Sequence, residues 1–174
     1  MLITFSVRGA PGTKGSVRAF VRGGRAQIVN DSAKARPWTA LVQDAALRAM
    51  PPGAQPLQGP VRVTLIYLLP RPKGHYLPVS TRRAKEALRL NAPRYPSSKP
   101  DLDKLARCAL DALSGIVFAD DAQIVELFVR KAYPEAASLA PVTCFTVEPF
   151  GESPPVPRAQ ATCDAHATPP GSTL

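Results

Sequence analysis

The chain has 174 residues, 45% of them apolar and 20% charged, enough for one packed core and too apolar for a wholly disordered chain. Its longest apolar stretch, Val61 to Leu69, is broken by Arg62 and Thr64, short of the roughly 18 residues of a membrane span, and Met1-Leu-Ile-Thr-Phe5 lacks the features of a secretory signal. Three scattered cysteines (Cys108, Cys144, Cys163) and two histidines (His75, His166) exclude a disulfide framework, a zinc site and a His-rich centre, so the sequence predicts a cytoplasmic protein, with no membrane partner, whose metal ligands, if any, are oxygens.

Ile3, Phe5 and Val7 alternate with Leu2, Thr4 and Ser6, the period of a strand. Gly9 to Gly15 is a turn-rich loop, and Gly23-Gly24 between residues 16–22 and 25–29 is a two-residue hairpin signal. Trp38, Leu41, Val42, Ala45 and Ala49 fall on one face of a helix that Pro51-Pro52-Gly53 stops. Val61, Val63, Leu65, Tyr67 and Leu69 alternate as a further strand. Residues 70–100 form a long loop rich in Pro, Arg and Lys, with a short helix at 80–90 as an expectation. A second helix spans about 102–114, with Leu102, Leu105, Ala109 and Leu113 as its apolar face and Gly115 as its stop. Asp120-Asp121 lies in a turn, and strands follow at 123–131 and 142–147. The order β-β-β-α-β-α-β-β predicts one α+β domain over 1–150, a mixed or antiparallel sheet packed with two main helices. Residues 151–174, Pro-rich and aperiodic, predict a disordered tail.

Charge is unevenly spread. Residues 1–107 hold 19 Lys and Arg against 5 Asp and Glu, and residues 108–174 hold 3 against 8. A polyanion is the natural partner of the first part. Within this basic chain the acids gather in two segments, Asp101 with Asp103 at the start of the second helix and Asp120 with Asp121 before a strand. Two close carboxylates repel and favour a divalent cation between them, and oxygen ligands suit Mg²⁺ or Mn²⁺. Each acid also has a plain structural role open to it: Asp101 as a helix cap, Asp103 facing the helix dipole, Asp120 and Asp121 as turn formers. Aspartyl-phosphate phosphatases use a similar Asp-x-Asp, but at the end of a buried strand. Here Ser97-Ser-Lys-Pro100 precedes the pair and a helix follows.

Three spaced elements, Lys99-Pro-Asp-Leu-Asp-Lys-Leu105, Asp111-Ala-Leu-Ser-Gly115 and Asp120-Asp-Ala-Gln-Ile124, together with Gly9-x-Pro11-x-x-Lys14-Gly15 and the basic hairpin after it, resemble the RusA family of Holliday-junction resolvases. The likeness is tight over 99–131 and loose over 3–148. It implies a homodimeric, Mg²⁺-dependent endonuclease that cuts four-way DNA junctions in recombination and repair. The family's acidic residues map onto Asp101, Asp103 and Asp121, with Asp120 adjacent as a further metal ligand. Two positions depart from the family pattern: Lys104 stands where members often have Asn, and Arg107 stands where some have an essential lysine. Arg107 keeps the charge, stabilising the phosphate, but is a poor proton donor. Lys14, Arg18, Arg22, Arg25, Arg82, Arg83, Lys99 and Lys104 are the expected phosphate contacts. A junction- or duplex-binding protein without catalysis would keep the basic surface and lose the acids. A nuclease of broader branched-DNA range would keep both.

Overall fold

A computed structural model describes residues 1–14, 17–30, 35–77, 87–134 and 140–151, with the backbone alone over 17–20, 22 and 26–30. The expected tail beyond Gly151, most of the expected helix at 80–90, and Arg82 and Arg83 lie outside the described residues. At 87–90 there is no helix; Leu88 instead makes a bridge to Tyr76.

The elements are β1 (Ile3–Arg8), β2 (Val17–Arg22), β3 (Arg25–Asn30), α1 (Ala35–Ala49), β4 (Val61–Leu68), α2 (Leu102–Leu113), β5 (Ile124–Ala132) and β6 (Val142–Pro149), in the α+β order that the periodicities predict. Two short 3-10 turns, Lys73–His75 and Asp121–Gln123, join them. Strands β1, β6, β4 and β5 form one mixed sheet in that order, with β4 and β5 parallel and the other pairs antiparallel. Strands β2 and β3 form a separate hairpin. Its turn needs positive φ at both central residues, and Gly23 and Gly24 supply φ of 60° and 74°.

Alternation decides which face of the sheet is covered. In β4, Val61, Val63, Leu65 and Tyr67 are fully buried, whereas Arg62, Thr64, Ile66 and Leu68 on the other face are only half-buried. Both helices pack on the first face. Trp38 of α1 lies 6.4 Å from the Tyr67 ring and 6.3 Å from that of Phe145, itself stacked on Phe5. The apolar face of α1 differs from expectation. Ala35, Trp38, Val42 and Ala46 are buried, while Leu41 is 50% exposed. At 100° per residue Leu41 sits about 100° from the centre of that stripe, beyond the reach of the sheet.

The segment β4–α2–β5 is a parallel crossover, which places the N-terminus of α2 at the C-terminal ends of β4 and β5. Loops at that end of parallel strands are where open α/β sheets put their ligands. No helix among the described residues is long and apolar enough to cross a membrane.

Candidate functional site

Helix α2 begins after Pro100, whose ring favours an extended start. Asp101 takes the N-cap position with φ −71° and ψ 137°, yet its side chain makes no capping hydrogen bond. An Asp there ordinarily accepts from the second or third helical N–H. Instead its Oδ2 faces the Lys104 amine at 2.8 Å. That hydrogen bond and charge, with Lys99 and Lys131 farther off, hold the Asp101 carboxyl below its ordinary range. Asp103 is exposed on the first turn and Arg107 is exposed one turn later; among the described residues neither has an ion-pair partner.

Three ties hold this helix start in place. The buried Tyr67 hydroxyl donates to the Leu105 carbonyl at 2.9 Å. The Lys131 amine donates to the carbonyls of Ser98 and Pro100, at 2.7 and 3.0 Å. The Lys14 N–H donates to the Lys104 carbonyl at 3.1 Å, bringing the Gly9–Lys14 loop against α2. That loop also passes so near α1 that a Cβ on Gly12 would lie 2.7 Å from the Ala35 Cα. On the far side Arg71 stacks over the Tyr133 ring at 4.1 Å and donates to the Pro93 carbonyl at 2.7 Å, folding the basic loop back onto the ends of β4 and β5. Lys99 is exposed beside it.

The expected residues are only partly assembled. Asp103, Lys104 and Arg107 lie on the first turns of α2, with Asp101 at its N-cap and Lys99 in the loop just before it. The Lys14 amine is ion-paired with Asp111 on α2. Arg25 is exposed in the hairpin turn; Arg18 and Arg22 lie on β2, where only the backbone is described. Asp120 and Asp121 lie at the other end of α2. Gln123, just after them, donates to the Leu57 and Gly59 carbonyls, and Leu57 bridges Phe118 beyond the helix C-terminus. Twelve helical residues separate the two acidic groups by roughly 18 Å. Accordingly, no three acidic, His or Cys side chains among the described residues converge as a metal site within one chain.

The two members of the Asp120-Asp121 pair differ. Asp120 accepts from the Ala122 N–H at 2.8 Å and receives the reciprocal Gln123 contact on its own N–H, a capping box. Asp121 is exposed and takes no part in the box. In kind, Asp101, Asp103 and Asp121 fit Mg²⁺: hard oxygen donors not consumed by caps.

Lys131 escapes a reading of motifs, but a signal was present. In β5, Leu127, Val129 and Lys131 share the face that is continuous with buried Val63, Leu65 and Tyr67. A lysine at an inward position of an apolar alternation needs partners, and the carbonyls before Asp101 are those partners.

A family model described as "Endodeoxyribonuclease RusA" matches residues 10–140. An uncharacterized protein of Bacillus subtilis, YqaN, is 31% identical over 133 residues, covering 76% of this chain and 89% of that protein.

Proposed function

The chain belongs to the RusA family of endodeoxyribonucleases, hydrolases acting on DNA, and from that premise we propose that it resolves four-way junctions in recombination and repair as an Mg²⁺-dependent homodimer. The observation that carries this reading is Asp101: an ionised N-cap carboxylate left free of capping, two residues from exposed Asp103, on a helix fixed by three separate ties.

Asp101, Asp103 and Asp121 would hold Mg²⁺ or Mn²⁺, with Asp120 committed to its cap. An ion held there would supply Lewis acidity toward the scissile phosphate and would make an attacking water more acidic. Arg107 lies one turn from Asp103 and stabilises charge on the phosphate, a guanidinium being a poor proton donor. The proton for the departing oxygen therefore comes from a group other than Arg107. Lys14, Arg18, Arg22, Arg25, Arg82, Arg83, Lys99 and Lys104 contact phosphates and set the register of DNA without reading bases.

A two-fold dimer resolves the separation of the acids. Strand β5 is an edge strand whose Val125, Leu127 and Phe128 are 56%, 43% and 53% exposed, an unprotected edge of the kind that pairs with another chain. Asp121 precedes β5 and Lys131, tied to Pro100, ends it. Antiparallel pairing of two β5 edges would bring the start of one strand to the end of the other, and so Asp121 of one protomer toward Asp101 and Asp103 of its partner. Two such sites, related by the two-fold, suit paired cuts in a symmetric junction.

The test is incubation with a synthetic four-way junction, a duplex and a flap, each with Mg²⁺, Ca²⁺ or EDTA. Cleavage of the junction in Mg²⁺, binding without efficient cutting in Ca²⁺, and loss of cutting in Asp101→Asn and Asp103→Asn are expected. Undiminished cutting in EDTA overturns the metal mechanism; equal cutting of all three DNAs favours a broader branched-DNA nuclease, and binding with no cutting under any condition favours a non-catalytic junction protein.

A further inference from the structure

We propose that Lys104 is a built-in competitor of the divalent cation: its ammonium occupies the Asp101 carboxylate and must be displaced before a metal can load. The inference rests on the metal-dependent reading above and deepens it. The Lys104 amine lies 2.8 Å from Asp101 Oδ2, and the two side chains are 33% and 42% exposed. Both partners sit on one helix start, at i and i+3, so the pair forms within a rigid backbone unit and needs no rearrangement elsewhere. The Asp101 carboxylate has no other hydrogen-bond partner among the described residues, and it makes no capping bond. The lysine is therefore the group that satisfies this carboxylate.

A divalent ion and an ammonium compete for that carboxylate, because each positive charge beside it weakens the hold of the other. Entry of the ion releases the Lys104 side chain, and a freed lysine one turn into a helix beside Lys99 is placed to take a phosphate. Loading of metal and capture of DNA are thereby coupled: phosphate draws the lysine off Asp101, and the ion keeps it off. An asparagine at this position, neutral and shorter, would impose no such competition. The backbone role of residue 104 is independent of its side chain, because the Lys14 N–H is received by the carbonyl.

The experiment is Mn²⁺ titration of the full-length, DNA-free protein, with free Mn²⁺ counted by electron paramagnetic resonance, and with circular dichroism confirming that each variant is folded. Removing one unit charge about 4 Å from a water-exposed ligand should tighten Mn²⁺ binding about fivefold, so Lys104→Asn should bind that much more tightly than wild type. Lys104→Arg, which keeps the cation, should stay near wild type, and Asp101→Asn should lose the site. If Lys104→Asn binds Mn²⁺ no better than wild type while Asp101→Asn abolishes binding, the competition is refuted and the metal site stands. If Asp101→Asn binds as wild type does, the metal-site reading and this inference fall together.

Discussion

The Lys131 amine donates to the Pro100 carbonyl at 3.0 Å, so the last turn of an edge strand fixes the residue that precedes Asp101. With its second bond to Ser98, one lysine sets where the chain enters α2. Lys131→Met keeps the length and the apolar stem and removes both bonds. A displacement of the reacting groups by about 1 Å can cost on the order of 100-fold, so a fall in junction cleavage of at least tenfold is expected, with a melting temperature close to wild type. Cleavage at the wild-type rate by a folded Lys131→Met protein would show that the segment holds its place without this tie.

Tyr67 acts on the same helix from below. Its phenol is buried, burial pushes its pKa upward, and its hydroxyl donates to Leu105. The neutral form is the one that donates, so the bond persists throughout the stable range of pH. Tyr67→Phe keeps the packing against Trp38 and leaves a buried carbonyl short of one partner. A loss of about 1 kcal/mol is expected in urea denaturation, with little change in the slope of unfolding free energy against urea. A change within error would mean that the carbonyl is satisfied by its own helix.

Much of this architecture is legible in the residues. Period-two alternation marks β1 and β4, Gly23-Gly24 the hairpin, and Gly115, at φ 77°, the end of α2. Each depends on local sequence, where the physics is short-ranged. On α1, Trp38, Val42, Ala45 and Ala49 lie on the core side as their spacing predicts, and only Leu41 falls off it. At the site, the types and spacing of Asp101 and Asp103 pointed to their chemistry. The pairings of Lys104 with Asp101, Lys14 with Asp111 and Lys131 with Pro100 depend on which backbone brings them together. Nor does spacing reveal that Asp120-Asp121 lies a helix length away, since about twenty residues of chain can either return or run on.

Asp120 and Asp121 should separate experimentally. Asp120→Ala removes the acceptor of the capping box and should cost about 1 kcal/mol in stability, with cleavage kinetics otherwise near normal. Asp121→Asn should leave the melting temperature unchanged and abolish cutting, because this exposed carboxylate touches no cap. Thermal unfolding and single-turnover cleavage, run on both variants, decide the matter. A reversed pattern, in which Asp120 is needed for cutting and Asp121 is dispensable, would move the third ligand by one residue.

The sharpest test of the shared site is complementation between two inactive proteins. If Asp121 serves its partner's Asp101 and Asp103, a heterodimer of Asp103→Asn and Asp121→Asn protomers contains one doubly damaged site and one intact site. If all three acids act within one chain, both sites of that heterodimer are dead. Random exchange gives half heterodimers, so a mixed and equilibrated sample should regain about a quarter of the wild-type sites. Each regained site stands alone in its dimer, so the product should be a nicked junction rather than a resolved one. The two proteins are mixed, given time to exchange subunits, and assayed in Mg²⁺ on a junction labelled on one strand, with each variant alone as control. Adding Leu127→Lys to both should remove the recovery by placing charge on the exposed β5 edge. Exchange is checked independently by mass tagging one variant. No nicking in a mixture shown to contain heterodimers would return Asp121 to a role within its own chain, or to none.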